Sequence, residues 1–166
     1  MSVHAFSGAQ GTGKTTSAYQ YAAWIMKEFP GQTVGLVADV ERNCPYPINR
    51  EATRRAQEWI FCRQIAGELD ALARYDLVVT DRCIMDVIAY SMSAGFKMQA
   101  DDMLFVWRKY ERHYGKIIFC HTMTNGWNVA DGCRDTDPVF RQRIEATLYE
   151  LYKYAGVTIQ PRFSEV

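Results

Sequence analysis

The chain has 166 residues, enough for one substantial core and too few for two ordinary domains. Lys plus Arg equals Asp plus Glu, 19 against 19, so no whole-molecule field draws it onto nucleic acid or anionic lipid. Cys44, Cys62, Cys83, Cys120 and Cys133 are odd in number and lack a paired-ligand spacing, which excludes a disulfide framework or zinc site and reads as reduced thiols.

In chain order, the first signal is Val3-His4-Ala5-Phe6, a short strand that runs into Gly8-Ala9-Gln10-Gly11-Thr12-Gly13-Lys14-Thr15. This fits G-x-x-x-x-G-K-[ST], in which glycines let successive backbone N–H groups approach nucleotide phosphates. Gly8, Gln10, Gly11, Thr12, Gly13, Lys14, Thr15 and Thr16 are the expected nucleotide-binding set. Lys14 should reach the β- and γ-phosphates, Thr15 should ligate Mg²⁺ and Thr16 should touch the α-phosphate. ATP and Mg²⁺ are therefore the expected cofactors.

A helix follows, with Ala18, Ala22, Ile25 and Phe29 on one face, and Pro30-Gly31 ends it. Residues 33–37 form the second strand, and an aperiodic stretch runs over 39–49. A helix over 51–73 shows Trp59, Cys62, Ala66, Leu69 and Ala73 as its dry stripe, with Arg54, Arg55, Glu58 and Glu68 opposite. The third strand, 77–80, ends in Asp81-Arg82. Asp81 is the expected second metal ligand or a helix cap, and Arg82 is set to reach phosphates.

Helices are expected over 85–94 and 102–113, with 93–100 aperiodic between them, then a fourth strand over 116–120. After the aperiodic segment 121–135, Thr136-Asp137-Pro138 signals the start of a last helix carrying Phe140, Ile144, Leu148, Leu151 and Ala155. Gly156 closes it and residues 157–160 read as a fifth strand. The expected fold is α/β, a three-layer sandwich on a five-stranded parallel sheet, one domain over 1–166. Ligands bind beyond the carboxyl ends of such strands, so function should concentrate at 39–49 and 121–135. Within 121–135, His121 ends a strand and is weighed as a site or a hydrogen-bonded structural residue. Trp127 either stacks on a base or plugs the sheet end. No run of about 18 apolar residues is present, and the first residues read straight into the phosphate loop, so a cytoplasmic protein without a membrane span is expected.

The phosphate loop together with Thr80-Asp81-Arg82 resembles the P-loop nucleoside and nucleotide kinases, the deoxynucleoside and thymidylate kinase group. Residues 53–61 (TRRAQEWIF), 64–68 (QIAGE) and 131–137 (DGCRDTD) are similar to a bacterial and bacteriophage set of small P-loop ATPases or kinases. The resemblance implies a P-loop kinase fold and a carboxylate after the second strand that takes the acceptor's proton. Asp39 or Glu41 would serve, Asp39 slightly favoured, with Arg42 beside them. It also implies an arginine-bearing lid over about 121–137, with Arg134 in the loop and Arg141 and Arg143 in the first turns of the helix after it, Arg134 and Arg141 toward phosphate and Arg143 there or paired with the acidic helix face. The helix over 51–73 would cover the acceptor, with Arg50, Arg54, Gln57, Phe61 and Gln64 as candidate contacts. Cys83 departs from the serine or tyrosine frequent after the acidic-Arg pair.

The leading expectation is an ATP-dependent kinase acting on a nucleoside, nucleotide or modified nucleobase hydroxyl. One alternative is a phage-type 5-hydroxymethyluracil DNA kinase, a DNA-modification enzyme for which Arg42, Arg50, Arg54, Arg55 and Arg134 would supply a basic strip. The other is a P-loop ATPase acting as a switch or motor for a partner. A small-molecule acceptor is the expected partner, with DNA and a homodimer left open.

Overall fold

The computed structural model describes residues 1–122 and 137–161. Four parallel strands form one sheet in the order β2-β3-β1-β4: β1 (Ser2–Ser7), β2 (Val34–Val37), β3 (Leu77–Thr80) and β4 (Tyr114–Phe119). Because side chains alternate along a strand, the sheet feeds two cores. Val3, Ala5, Val78, Ile117 and Phe119 enter the larger one, while Phe6, Leu77, Val79 and Ile118 enter the smaller one on the other face.

Helix α1 (Lys14–Glu28) covers the smaller core with Ala18, Tyr21, Ala22 and Ile25, whereas Phe29 stays half exposed. The larger core is closed by α2 (Arg54–Leu72), α3 (Ile84–Ser93), α4 (Lys97–Tyr110) and α5 (Pro138–Ala155). Helices on both faces give the three expected layers. α3 is the innermost: every residue from Ile84 to Ser91 is buried, as its mostly apolar sequence requires.

The fifth strand is a correction. Residues 157–160 contribute one parallel bridge, Gln160 opposite Ile118, with backbone bonds of 2.8 Å from Gln160 N to Ile117 O and from Phe119 N to Gln160 O. Val157 N donates to Tyr152 O at 3.0 Å, at the end of α5, and not to β4. A second correction concerns residues 93–100: α4 begins at Lys97, so most of that stretch is helix or its entry. Helix α2 also starts later than residue 51, because Thr53 caps it by accepting from Ala56 N at 3.2 Å, and Asn49–Glu51 form a separate 3-10 turn.

The largest correction is the orientation of α2. Cys62, Ala66, Leu69 and Ala73 are exposed and Trp59 is half-buried, while Gln57, Gln64 and Glu68 are buried alongside Ile60 and Phe61. The face turned inward carries polar groups with partners: Gln64 Nε2, which has two hydrogens to give, lies 2.7 Å from Thr80 Oγ1, 2.8 Å from Glu68 Oε1 and 3.2 Å from Arg82 O. Tyr114 OH donates to Glu68 at 3.0 Å. Paired polar groups of this kind can stand in place of an apolar stripe, with Gln64 Oε1 left buried and without a partner among the described residues. Burial raises the Glu68 carboxyl to about 7, against the hydrogen bonds from Gln64 and Tyr114 that favour its charge.

Candidate nucleotide-binding site

The loop between β1 and α1 departs from strand geometry at Gly8, whose φ is +147°. A Cβ at that position would collide with the carbonyl oxygen of Cys120 at the end of β4, so glycine is a steric requirement there. Gly11 and Gly13 also take positive φ, 68° and 77°, and α1 begins at Lys14 with its first amides open toward the cleft.

One cleft is lined by Gln10 through Thr16 of this loop, by Glu41, Arg42, Ile48 and Asn49 from the segment after β2, and by Arg82 and Tyr90. The expected nucleotide-binding residues from Gln10 onward thus share one concavity, with Gly8 at its root. Lys14 is buried, and its ammonium donates to Gly8 O at 2.7 Å and Ala9 O at 2.6 Å. Burial pushes the Lys14 ammonium below its ordinary value, opposed chiefly by the negative charge of Asp86.

Thr15 Oγ1 donates to Asp81 Oδ2 at 2.7 Å, bringing together the two side chains expected to hold a divalent cation. Asp81 Oδ1 is buried without a hydrogen-bond partner among the described residues. Burial, then the charge of Glu41, raises the Asp81 carboxyl. A hydroxyl beside a carboxylate with a spare buried oxygen fits the hard oxygen set that Mg²⁺ prefers.

Glu41 and Asp39 part company. Arg82 grips Glu41 with both arms of its fork, Nη2 to Oε1 at 3.0 Å and Nε to Oε2 at 3.3 Å. Burial alone would raise the Glu41 carboxyl, but the Arg82 charge and hydrogen bonds override it and hold it at about 2. The guanidinium in turn is held above its ordinary value by Glu41 and Asp86 against its own burial, and it lies 5.8 Å from the Tyr90 ring centroid. Asp39 takes a left-handed φ of 56° and pairs with Arg42 at 2.8 Å, outside the cleft lining.

Arg141, expected at phosphate, lies behind the loop. It is 4% exposed and donates from Nε to Gln10 O at 3.0 Å and from Nη2 to Gly11 O at 3.3 Å. Arg134 and Trp127 lie outside the described residues. Arg143 lines a neighbouring cleft with Asn49, Arg50, Tyr90 and Phe140, and Arg50 there pairs with the α5 cap Asp137 at 3.4 Å. Arg54 sits 5.5 Å from the Phe96 ring centroid, and Gln57, Phe61 and Gln64 are packed into the core, so these four acceptor candidates do not line the nucleotide cleft. His121 is exposed, with Nδ1 3.0 Å from Glu145 Oε1 and Tyr149 OH alongside, and is not part of the nucleotide cleft lining.

Asp86 and Tyr90 were missed. Asp86 is fully buried and accepts from Ser7 Oγ and, at 3.4 Å, from Gly8 N. Tyr152 OH donates to Ser7 Oγ at 2.7 Å. Burial raises Asp86 to about 6, against the charges of Lys14 and Arg82. Tyr90 OH donates to Gln10 Oε1 and accepts from Gln10 N at 3.1 Å. A signal is present in the sequence: Asp86 and Tyr90 stand four residues apart, on one face of the mostly apolar helix α3 that begins just after Arg82.

A family model described as an AAA domain matches residues 3–161. The chain belongs to this AAA-domain family. A search of curated protein sequences gave no significant match. Among solved structures, thymidylate kinase from Ehrlichia chaffeensis is similar with a TM-score of 0.67 and 16% identity, covering 99% of this chain and 89% of that one. Thymidylate kinase from Candida albicans gives 0.64 and 14%, covering 96% and 83%. Deoxyadenosine kinase from M. mycoides, solved with dCMP and dCDP, gives 0.58 and 11%, covering 99% and 90%. At these identities the likeness concerns the fold, which in this AAA-domain chain is that of P-loop nucleotide and deoxynucleoside kinases. Among the described residues, no helix is long and apolar enough to cross a membrane.

Proposed function

We propose that the protein is an ATP-dependent phosphotransferase that moves the γ-phosphoryl group to a hydroxyl of a small nucleoside or nucleotide. The observation that carries this reading is one cleft in which Lys14 and the loop amides face the Glu41–Arg82 pair from a different part of the chain. A cleft built only to hold nucleotide needs the first half. A carboxylate held by an arginine at its edge adds a group that can meet a second substrate.

In this reading, the amides of the loop and the first turn of α1 bind the phosphates, and Lys14 stabilises charge on the transferring group. Arg82 orients a phosphoryl oxygen or the acceptor beside it. Glu41 accepts the hydrogen bond of the acceptor hydroxyl and fixes its direction. A carboxyl held at about 2 is a weak base, which suffices because phosphoryl transfer depends mainly on positioning and charge neutralisation. Thr15 and Asp81 would hold Mg²⁺, which when bound supplies positive charge to the phosphate oxygens. The neighbouring cleft at Arg50, Tyr90, Phe140 and Arg143, which shares Asn49 and Tyr90 with the first, is the route for the acceptor. The chain acts as a single unit, with residues 121–137 as a lid.

The test is ADP formation from ATP, measured alone and with nucleosides, nucleoside monophosphates and DNA containing 5-hydroxymethyluracil. ADP that rises only with one acceptor class supports the reading and names the acceptor. Equal ADP release under every condition contradicts it and favours an ATPase.

A further inference from the structure

The carbonyls of the phosphate loop point in two directions, and each direction has its own cation. Gly8 O and Ala9 O turn toward Lys14, while Gln10 O and Gly11 O turn toward Arg141. A trans peptide is planar and sets its C=O and the next N–H on opposite sides. Anchoring a carbonyl therefore aims the following amide. The loop contains its own check: Ala9 O faces Lys14, and the next amide, Gln10 N–H, points the other way onto Tyr90 OH at 3.1 Å.

By the same geometry, Arg141 on Gln10 O and Gly11 O directs the N–H groups of Gly11 and Thr12 away from itself. Arg141 is buried behind the loop, and Gly11 and Thr12 line the cleft. We propose that Arg141 is a positioning residue, whose planar guanidinium holds two successive peptides so that the Gly11 and Thr12 amides face the bound phosphates. Arginine suits the task, since one rigid fork spans two adjacent carbonyls where a lysine ammonium would take them as a point charge. Tyr90 holds the Gln10 peptide from α3 and Arg141 from α5, so the crown of the loop is set by two helices far from it in sequence.

The proposal rests on the loop's reading as a phosphate cradle, and nucleotide binding, which needs no acceptor, tests it. Mg·ADP and Mg·ATP are titrated calorimetrically into the wild-type chain and into Arg141→Ala and Arg141→Lys, with amide NMR following Gly11 and Thr12. Arg141→Ala should weaken both nucleotides in parallel, by about tenfold or more, because two charge-assisted anchors are lost. Arg141→Lys should recover part of this, and nucleotide-induced shifts should shrink at Gly11 and Thr12.

Loss of ATP binding with ADP affinity retained would overturn the proposal in favour of a direct contact with the terminal phosphate. Wild-type affinities in a variant that only melts earlier would overturn it in favour of a structural role. If Arg141→Ala does not fold, Arg141→Lys decides alone: a parallel loss supports the proposal and unchanged affinity overturns it. A wild-type chain that binds neither nucleotide sinks the cradle reading and this proposal together.

Discussion

The two sides of the nucleotide cleft are built differently. Behind the phosphate loop, Asp86, Tyr90, Arg141 and Tyr152 are all under 8% exposed, and each bonds the loop or the strand residue that enters it. Across the cleft, the segment after β2 consists of short 3-10 turns with no buried residue, and Asp39 and Asn49 both take positive φ. Its charged side chains pair, Asp39 with Arg42 and Glu41 with Arg82, while Val40, Cys44 and Ile48 are partly buried against the edge of the larger core. A rigid frame on one side suits a phosphate chain of fixed shape, and an open segment on the other suits a partner that enters and leaves.

The largest test of this contrast is Lys14→Ala. It removes the fixed cation of the framed side and should lower turnover by about 10²–10³-fold. Retention of normal turnover would show that the loop is not where the phosphoryl group moves. Asp81→Asn comes next. The midpoint of the Mg²⁺ dependence should rise by about tenfold, and an unchanged midpoint would remove Asp81 from metal binding.

On the open side, Glu41→Ala should lower kcat and also cost about 2 kcal/mol of stability, since Arg82 keeps its burial and loses its partner. The pH dependence has a definite sign. Glu41 is depressed from 4.5 to about 2, so its pair contributes fully above pH 4.5 and is lost as pH falls toward 2. Urea unfolding across that window should show an acid limb in the wild type that shrinks in Glu41→Ala. Asp39→Ala, which breaks only a partly exposed pair, should leave activity within about twofold. A large loss there would restore Asp39 as the working carboxylate.

The last test concerns stability and not turnover, at Glu68, which reaches Arg82 O only through Gln64. Its carboxyl is raised from 4.5 to about 7, so the folded state favours the protonated form and loses stability as pH rises through that interval. Glu68→Gln should flatten the fall in Tm between pH 4.5 and 7. An unaltered slope would mean that Glu68 titrates normally.

What could be read from the sequence follows the range of the interaction. Gly8 to Thr15 is legible because its chemistry is local: glycines, a lysine and a threonine at fixed spacing perform the task together. Asp81-Arg82 is legible from its place at a strand end. Arg141 was visible as an arginine, but its bond to Gln10 spans 131 residues, and no periodicity reports which way it points. Apolar spacing misplaces the buried face of α2, although Arg54, Arg55 and Glu58 are exposed as that spacing predicts. Gln64 and Glu68 are buried through hydrogen bonds to Thr80 and Tyr114, partners from other elements. Residues 157–160 have strand composition, yet a strand needs a neighbour along its length, and among the described residues Gln160 alone bridges β4 while Val157 N is taken by the end of α5.

Transfer of label from ATP carrying a radioactive γ-phosphate tests the central claim most directly, with the wild-type chain, Mg²⁺ and the acceptor classes offered separately. The account expects label in a phosphorylated nucleoside or nucleotide, abolished in Lys14→Ala and strongly reduced in Glu41→Ala. Label that appears only as inorganic phosphate, at the same rate with every acceptor, would contradict it.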